Sequence, residues 1–217
     1  MRSAKSVYLK RAVRLSWFTI IYNIAEGLVS VYFGLEQDSI ALAGFGADSF
    51  IEVASAIVVL WRFKSESNLS TPMALSSERR ATRAIGWLFV ALSAGVVAAS
   101  ALKLRQHIGP DTTIPGIIIS LASLSFMFYL WTAKKNVARQ LDSSTVEKDA
   151  ACSLACIKLS LVLLAGSLLY GLVPSFWWVD SAAALALAFL IGGEGFETIR
   201  SSRREDFTGG CGCSHCE

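Results

Sequence analysis

Six long apolar blocks divide a chain of 217 residues. Each is close to the roughly 20 residues that a helix needs to cross a bilayer. They run from about Leu15 to Phe33, Ile40 to Trp61, Ala84 to Leu102, Thr113 to Trp131, Ala150 to Leu172 and Phe176 to Phe196. Hydrophobic residues make up 53% of the chain and charged residues 17%, against about 25% charged in a soluble domain. That excludes a soluble enzyme, a coiled coil and a disordered chain. The blocks are continuous and lack the alternation of barrel strands, so helices are predicted. The predicted fold class is all-α, a polytopic membrane bundle of six transmembrane helices.

Charge placement predicts the orientation. Every Lys and Arg except Lys103, Arg105 and Lys158 falls in the N-terminal arm, in the loops after the second and fourth blocks, or in the tail. By the positive-inside rule that side is cytoplasmic, with both termini inside. Trp177 and Trp178 then lie at the outer interface, where aromatic rings are favoured. The net charge of +3 therefore follows membrane topology, and nucleic acid is not an expected partner. Residues 1–14 read as a basic cytoplasmic arm, 15–198 as the transmembrane domain and 199–217 as a cytoplasmic tail. The first block is too long for a signal-peptide core and contains Asn23 and Glu26, so no cleavable signal is expected. The stretch from about Lys64 to Ala81, rich in Ser, Thr, Asn and Pro, is predicted to be a flexible loop. The expected location is the inner (plasma) membrane of a bacterial cell.

The informative residues are polar ones at positions that lipid disfavours. A charge at the bilayer centre costs about 2.5–3.5 kcal/mol on insertion scales, so such residues face a bundle interior or a wet cavity. In the second block Asp48 and Glu52 stand four apart, which puts both carboxylates on one helical face. Their mutual repulsion calls for a cation or a shared proton between them. Protonated carboxyls hydrogen-bonded across helices are the structural alternative. In the fifth block Cys152 and Cys156 repeat that spacing, with Asp149 on the same face. Thiolates bind Zn²⁺ and softer ions, although cysteine is also a common small buried residue. Together Asp48, Glu52, Cys152 and Cys156 make a candidate four-ligand metal site.

Several residues have auxiliary readings. Asn23 and Glu26 share a face of the first block, and Glu26 is a candidate proton relay, transient ligand or partner for Lys158. Lys158 lies about two turns inside the fifth block, and an ion pair with Glu26, Asp180 or Glu194 is its simplest account. Asp180, at the start of the sixth block, is predicted to cap that helix as an N-terminal acid. Glu194 sits among Gly192, Gly193 and Gly195, which predicts close helix packing around it. The tail carries Cys211, Cys213, His215 and Cys216, a short tract able to capture or hand over a soft metal ion. An incidental thiol cluster in a disordered tail is the alternative.

These residues carry a family resemblance. The stretch SIALAGFGADSFIEVASAIVVLWR resembles the second helix of the cation diffusion facilitators. KDAACSLACIKLSLVLL is similar to their A-D-A-x-H-x-x-x-D helix, with Cys152 at the His position and Cys156 at the Asp position. WWVDSAAALALAFLIGGEGFETIR is similar to their sixth helix, and the blocks fall in the same order. The resemblance implies a divalent metal/proton antiporter working by alternating access, in which Asp48, Glu52, Cys152 and Cys156 hold the transported ion. Helices with small-residue faces favour a homodimer. Only residues 199–217 follow the sixth block, so the ferredoxin-like cytoplasmic domain of typical members is not expected, as in a small subgroup of the family. Cysteine in place of both His and Asp softens the site. Zn²⁺ remains the leading ion, and Cd²⁺ or another soft ion becomes more favourable.

The expected partners are thus the bilayer, a divalent metal ion as cargo, protons and a second copy of the chain. No cofactor is expected. An enzyme is not expected either, because no nucleophile–base–orienter set is present. The main rival is a membrane metal-binding or handover protein without active transport. An ion channel is a second rival.

Overall fold

The computed structural model describes residues 2–65, 72–107, 114–141, 144–173 and 175–204. Six helices account for nearly all of them: α1 Arg2–Glu36, α2 Ile40–Ser65, α3 Pro72–Gln106, α4 Ile114–Leu141, α5 Ser144–Leu172 and α6 Val179–Arg203. Among the described residues there is no strand. In hydrocarbon each backbone N–H and C=O must find its partner within the segment, which a continuous helix achieves. Stretches of α1, α3, α4, α5 and α6 are long and apolar enough to cross a membrane. Helix α2, which carries Asp48 and Glu52, is not among those five.

Three closely packed helix pairs build the bundle: α1 with α2, α3 with α6, and α4 with α5. Helix α2 touches α1, α3, α5 and α6 and so ties the pairs together. One core cluster joins Ala41, Leu42 and Phe45 of α2 to Val96, to Leu159 and Leu163, and to the small-residue face of α6 from Ala183 to Ile191. At the opposite end Ala12, Val137, Ala138 and Val146 join α1, α4 and α5.

The polarity is that of a lipid-embedded bundle. Large apolar side chains such as Trp17, Ile21, Leu121 and Phe189 point outward, while Ser16, Asn23, Ser30, Ser100, Ser123 and Ser160 are buried. A soluble protein of this size would not expose so broad an apolar surface.

Local chemistry accounts for the boundaries. Asp38 ends α1 with φ of 53°, the left-handed geometry that Asp tolerates better than most residues. The Ser39 N–H then reaches back to Gly34 O at 2.8 Å, the six-to-one bond of a Schellman ending. The Ser39 hydroxyl accepts the Leu42 N–H at 3.1 Å and so caps α2. Pro72 opens α3, where its missing N–H costs nothing.

Four expectations change. The flexible loop predicted to about Ala81 is helical from Pro72 onward; residues 66–71 lie outside the described ones. Helix α6 begins at Val179 rather than Phe176, because Phe176 N–H→Val173 O and Val179 N–H→Phe176 O form turns instead. Asp180 does not cap α6, which has no side-chain cap. Its carboxylate serves α2 instead, accepting from the Ser39 hydroxyl at 2.5 Å and the Ile40 N–H at 2.9 Å. Lys134, assigned to the inner loop, lies within α4 and is 1% exposed. The close packing expected near Glu194 is present. A Cβ on Gly195 would stand 3.0 Å from Gly86 O, so glycine lets α3 and α6 meet at backbone distance.

Glycine positions yield a paired prediction. A Cβ on Gly34 would meet the Ala43 backbone N at 2.5 Å, whereas one on Gly95 meets nothing within 4 Å. Gly34→Ala should lower stability by about 1–3 kcal/mol through overpacking of α1 against α2. Gly95→Ala should leave stability unchanged or raise it slightly, since Ala is the better helix former. Thermal unfolding of both variants in the same detergent checks the pair.

Candidate functional site

The α1–α2 pair runs antiparallel, so positions whose numbers sum to about 75 face each other. Asn23 thereby meets Glu52, and Glu26 meets Ser49. The i, i+4 spacing of Asp48 and Glu52 keeps both carboxylates on the side that α2 turns to the bundle.

Glu52 is the point where three helices converge. Asn23 Nδ2 of α1 donates to Glu52 Oε2 at 2.8 Å. The Cys156 thiol of α5 donates to Glu52 Oε1. Cys156 is 3% exposed and packs with Met127 and Leu130 of α4. Asp48 is buried, and its Oδ1 has no hydrogen-bond partner. Its charge interacts with those of Glu52, Glu26 and, from α6, Glu194. Four carboxylates on three helices therefore share one low-dielectric region. Repulsion among them falls when a cation enters.

A second polar group adjoins the first. Glu26 accepts from the Ser49 hydroxyl at 3.0 Å, with the Tyr22 and Ser123 hydroxyls beside it. Ser160 of α5 donates to Ser123 of α4 at 2.9 Å. Hydroxyls thus extend from Glu26 across α4 to α5. Asn23 Oδ1, Glu26 Oε1 and Asp48 Oδ1 are all buried acceptors without a hydrogen-bond partner. Orphaned acceptors are costly unless a donor or cation visits them.

Of the four predicted ligands, Glu52 and Cys156 are in direct contact and Asp48 lies within electrostatic reach. Cys152 is half-buried and disulfide-bonded, so its thiolate becomes available on reduction. Among the described residues no three His, Cys, Asp or Glu side chains converge tightly enough to ligate one ion. Asn23 and Glu26 are hydrogen-bonded to Glu52 and Ser49 of α2, whereas Asp180 is occupied at the far end of α2. Lys158 is half-buried on α5. The Asp149 side chain and the tail residues Cys211, Cys213, His215 and Cys216 lie outside the described residues.

Sequence reasoning missed Lys134. The signal lay in helical spacing: Met127, Leu130, Lys134 and Val137 recur at i, i+3, i+7 and i+10, and all four are buried. That is one stripe of α4, and it continues past the block boundary that hydropathy places at Trp131.

A buried acidic cluster on three helices inside an apolar-surfaced helical bundle defines an integral membrane protein. Residues 77–205, more than half of the chain, match the cation efflux transmembrane domain, and the chain belongs to that family. It is also similar to transmembrane protein 163 of Xenopus laevis, 22% identical over 194 residues, which cover 88% of this chain and 67% of the relative. The family match begins in α3. It contains Cys152 and Cys156 on α5, while Asp48 and Glu52 precede it.

The Asn23–Glu52 bond yields a stability prediction. Asn23→Leu should destabilise by about 1–3 kcal/mol, because Glu52 loses a charge-assisted donor in a buried place. Asn23→Leu combined with Glu52→Leu should recover most of that loss, since removing both partners leaves no orphan. A double-mutant cycle by thermal unfolding measures the coupling.

Proposed function

We propose that this chain exports a divalent metal ion in exchange for protons, by alternating access. Zn²⁺ is the leading cargo, and Cd²⁺ or another soft ion is the next. The single observation that carries the reading is the meeting of Glu52 with Cys156 beside buried Asp48, at the contact of α2 with α5. A carboxylate pair and a thiol suit Zn²⁺ and softer ions better than Mg²⁺ or Ca²⁺.

In the proposed cycle the metal displaces the Cys156 proton and is held by Asp48, Glu52 and Cys156. Reduced Cys152 completes a tetrahedral shell. Ligands must be deprotonated to bind metal, so protons arriving from the other side compete the ion off. The protonated site then returns with little charge to carry through lipid. Glu26, with its hydroxyl neighbours, is a proton relay beside the ion site. In this reading both termini lie in the cytoplasm with the basic arm and loops, the location is the inner membrane of a bacterial cell, and a homodimer is the working unit. The tail thiols and His215 collect metal at the cytoplasmic mouth.

Proteoliposomes with an imposed pH gradient test the reading. Zn²⁺ and Cd²⁺ flux should follow the gradient and fall to background in Asp48→Ala. Cys156→Ser should keep Zn²⁺ flux and lose the advantage of Cd²⁺, because a hydroxyl is a harder ligand than a thiolate. Tight binding without flux in the wild type would identify a metal-binding handover protein instead.

A further inference from the structure

Lys134 is the largest fully buried side chain among the described residues. Its neighbour Lys135 is exposed and lies over the Trp131 ring, 5.0 Å from the centroid. Lys135 therefore snorkels along the helix surface, and Lys134 does not. A buried ammonium persists only where anions or acceptors compensate it.

Three observations place that ammonium beside the metal site. Lys134 Nζ donates to Ser153 Oγ at 3.1 Å. Ser153 is buried on α5, one residue after Cys152 and three before Cys156. Leu130, one turn from Lys134 on the same stripe of α4, belongs to the same packed cluster as Cys156. The positive charge also acts on Glu52, the carboxylate that the Cys156 thiol contacts.

We propose that Lys134 is a tethered counter-cation of the metal site. Its ammonium offsets part of the charge of Glu52, and it opposes the divalent ion once the ion arrives. This role rests on the metal site of the proposed function. A carrier must bind its ion tightly enough to load and weakly enough to release. Asp48, Glu52, Glu26 and Glu194 together would over-stabilise a divalent cation, and a fixed positive charge corrects that. Lys134 is a positioning residue rather than a ligand, because an ammonium has no lone pair to give.

Equilibrium Zn²⁺ binding to the full chain in lipid nanodiscs, at one pH and against a fluorescent chelator, tests this. Lys134→Gln keeps a group able to hydrogen-bond Ser153 but removes the charge. It should bind Zn²⁺ roughly 10- to 100-fold more tightly than wild type, the scale of one unit charge acting on a divalent ion at an effective dielectric near 20. Lys134→Arg should keep wild-type affinity, and so should Ser153→Ala. A merely structural lysine would give weaker binding or none in Lys134→Gln, and that result overturns the proposal. Equal tightening in Ser153→Ala also overturns it, since the hydrogen bond and not the charge would then be responsible. Should Lys134→Gln not fold, a changed affinity in Lys134→Arg is the decisive contrary result. Asp48→Ala is the control: binding undiminished there rejects the metal site itself. Binding lost in Asp48→Ala but unchanged in Lys134→Gln rejects only the role of Lys134.

Discussion

Charge in a low-dielectric interior must be compensated, and this bundle is arranged around that requirement. Asp48 and Glu52 stand on α2 with the charges of Glu26 and Glu194 close enough to act on Asp48. Each carboxylate moved out of water forfeits a large hydration energy. The structure returns part of it through short-range donors: Asn23 and Cys156 to Glu52, and Ser49 to Glu26. What these donors leave unmet is a set of buried acceptors on Asn23, Glu26 and Asp48. The site is thereby built with an appetite for positive charge, which is the property an ion carrier needs at its centre.

The same requirement explains why α2 is central. A helix bearing two carboxylates cannot face lipid, so it is surrounded by α1, α3, α5 and α6. Those contacts need thin interfaces. Gly34 lets α1 reach the Ala43 backbone, and Gly86 and Gly195 do the same for α3 and α6. At one end of α2 a second polar arrangement holds the helix start: Ser39 caps it and donates its hydroxyl hydrogen bond to Asp180 of α6. Lys103 of α3 reaches both the carbonyl and the carboxylate of Asp38 beside it. The α1–α2 turn is thus tied to the α3–α6 pair by directed bonds, while the middle of α2 touches α5 through the Cys156–Glu52 contact. Polar fastening at one end leaves the buried acidic cluster nearer the middle of α2.

Much of this was legible in the sequence, and the failures have physical causes. The six blocks, the helix class and the pairing of Asp48 with Glu52 follow from length and from the i, i+4 rule, both of which act locally. Asn23 was recognisable as polar in an apolar block, but its partner depended on the α1–α2 register, which no local pattern reveals. Asp180 was read by its own helix start, and the acceptor demand of a neighbouring helix prevailed over it. Lys134 was lost to a convention: hydropathy ends a span where lysines begin, yet helix periodicity carried the stripe of Met127 and Leu130 through Lys134 to Val137. The stretch after Pro72 reads as a loop by composition. There the continuity of α3 outweighs the weak helix propensity of its serines.

The substitution of thiols for imidazole and carboxylate changes more than softness. A thiol that donates to Glu52 satisfies that carboxylate, which an acidic residue at the same position could do only when protonated. A thiolate that has lost its proton adds the negative charge that a divalent ion needs. In the proposed cycle Cys156 therefore serves both the protonated and the loaded site with one proton. The proposed role of Lys134 acts in the same direction from α4, because a fixed cation makes a carboxylate cluster less repulsive. Under the proposed function, a thiol switch and a constant positive charge together let the acidic core bind a metal ion without holding it permanently.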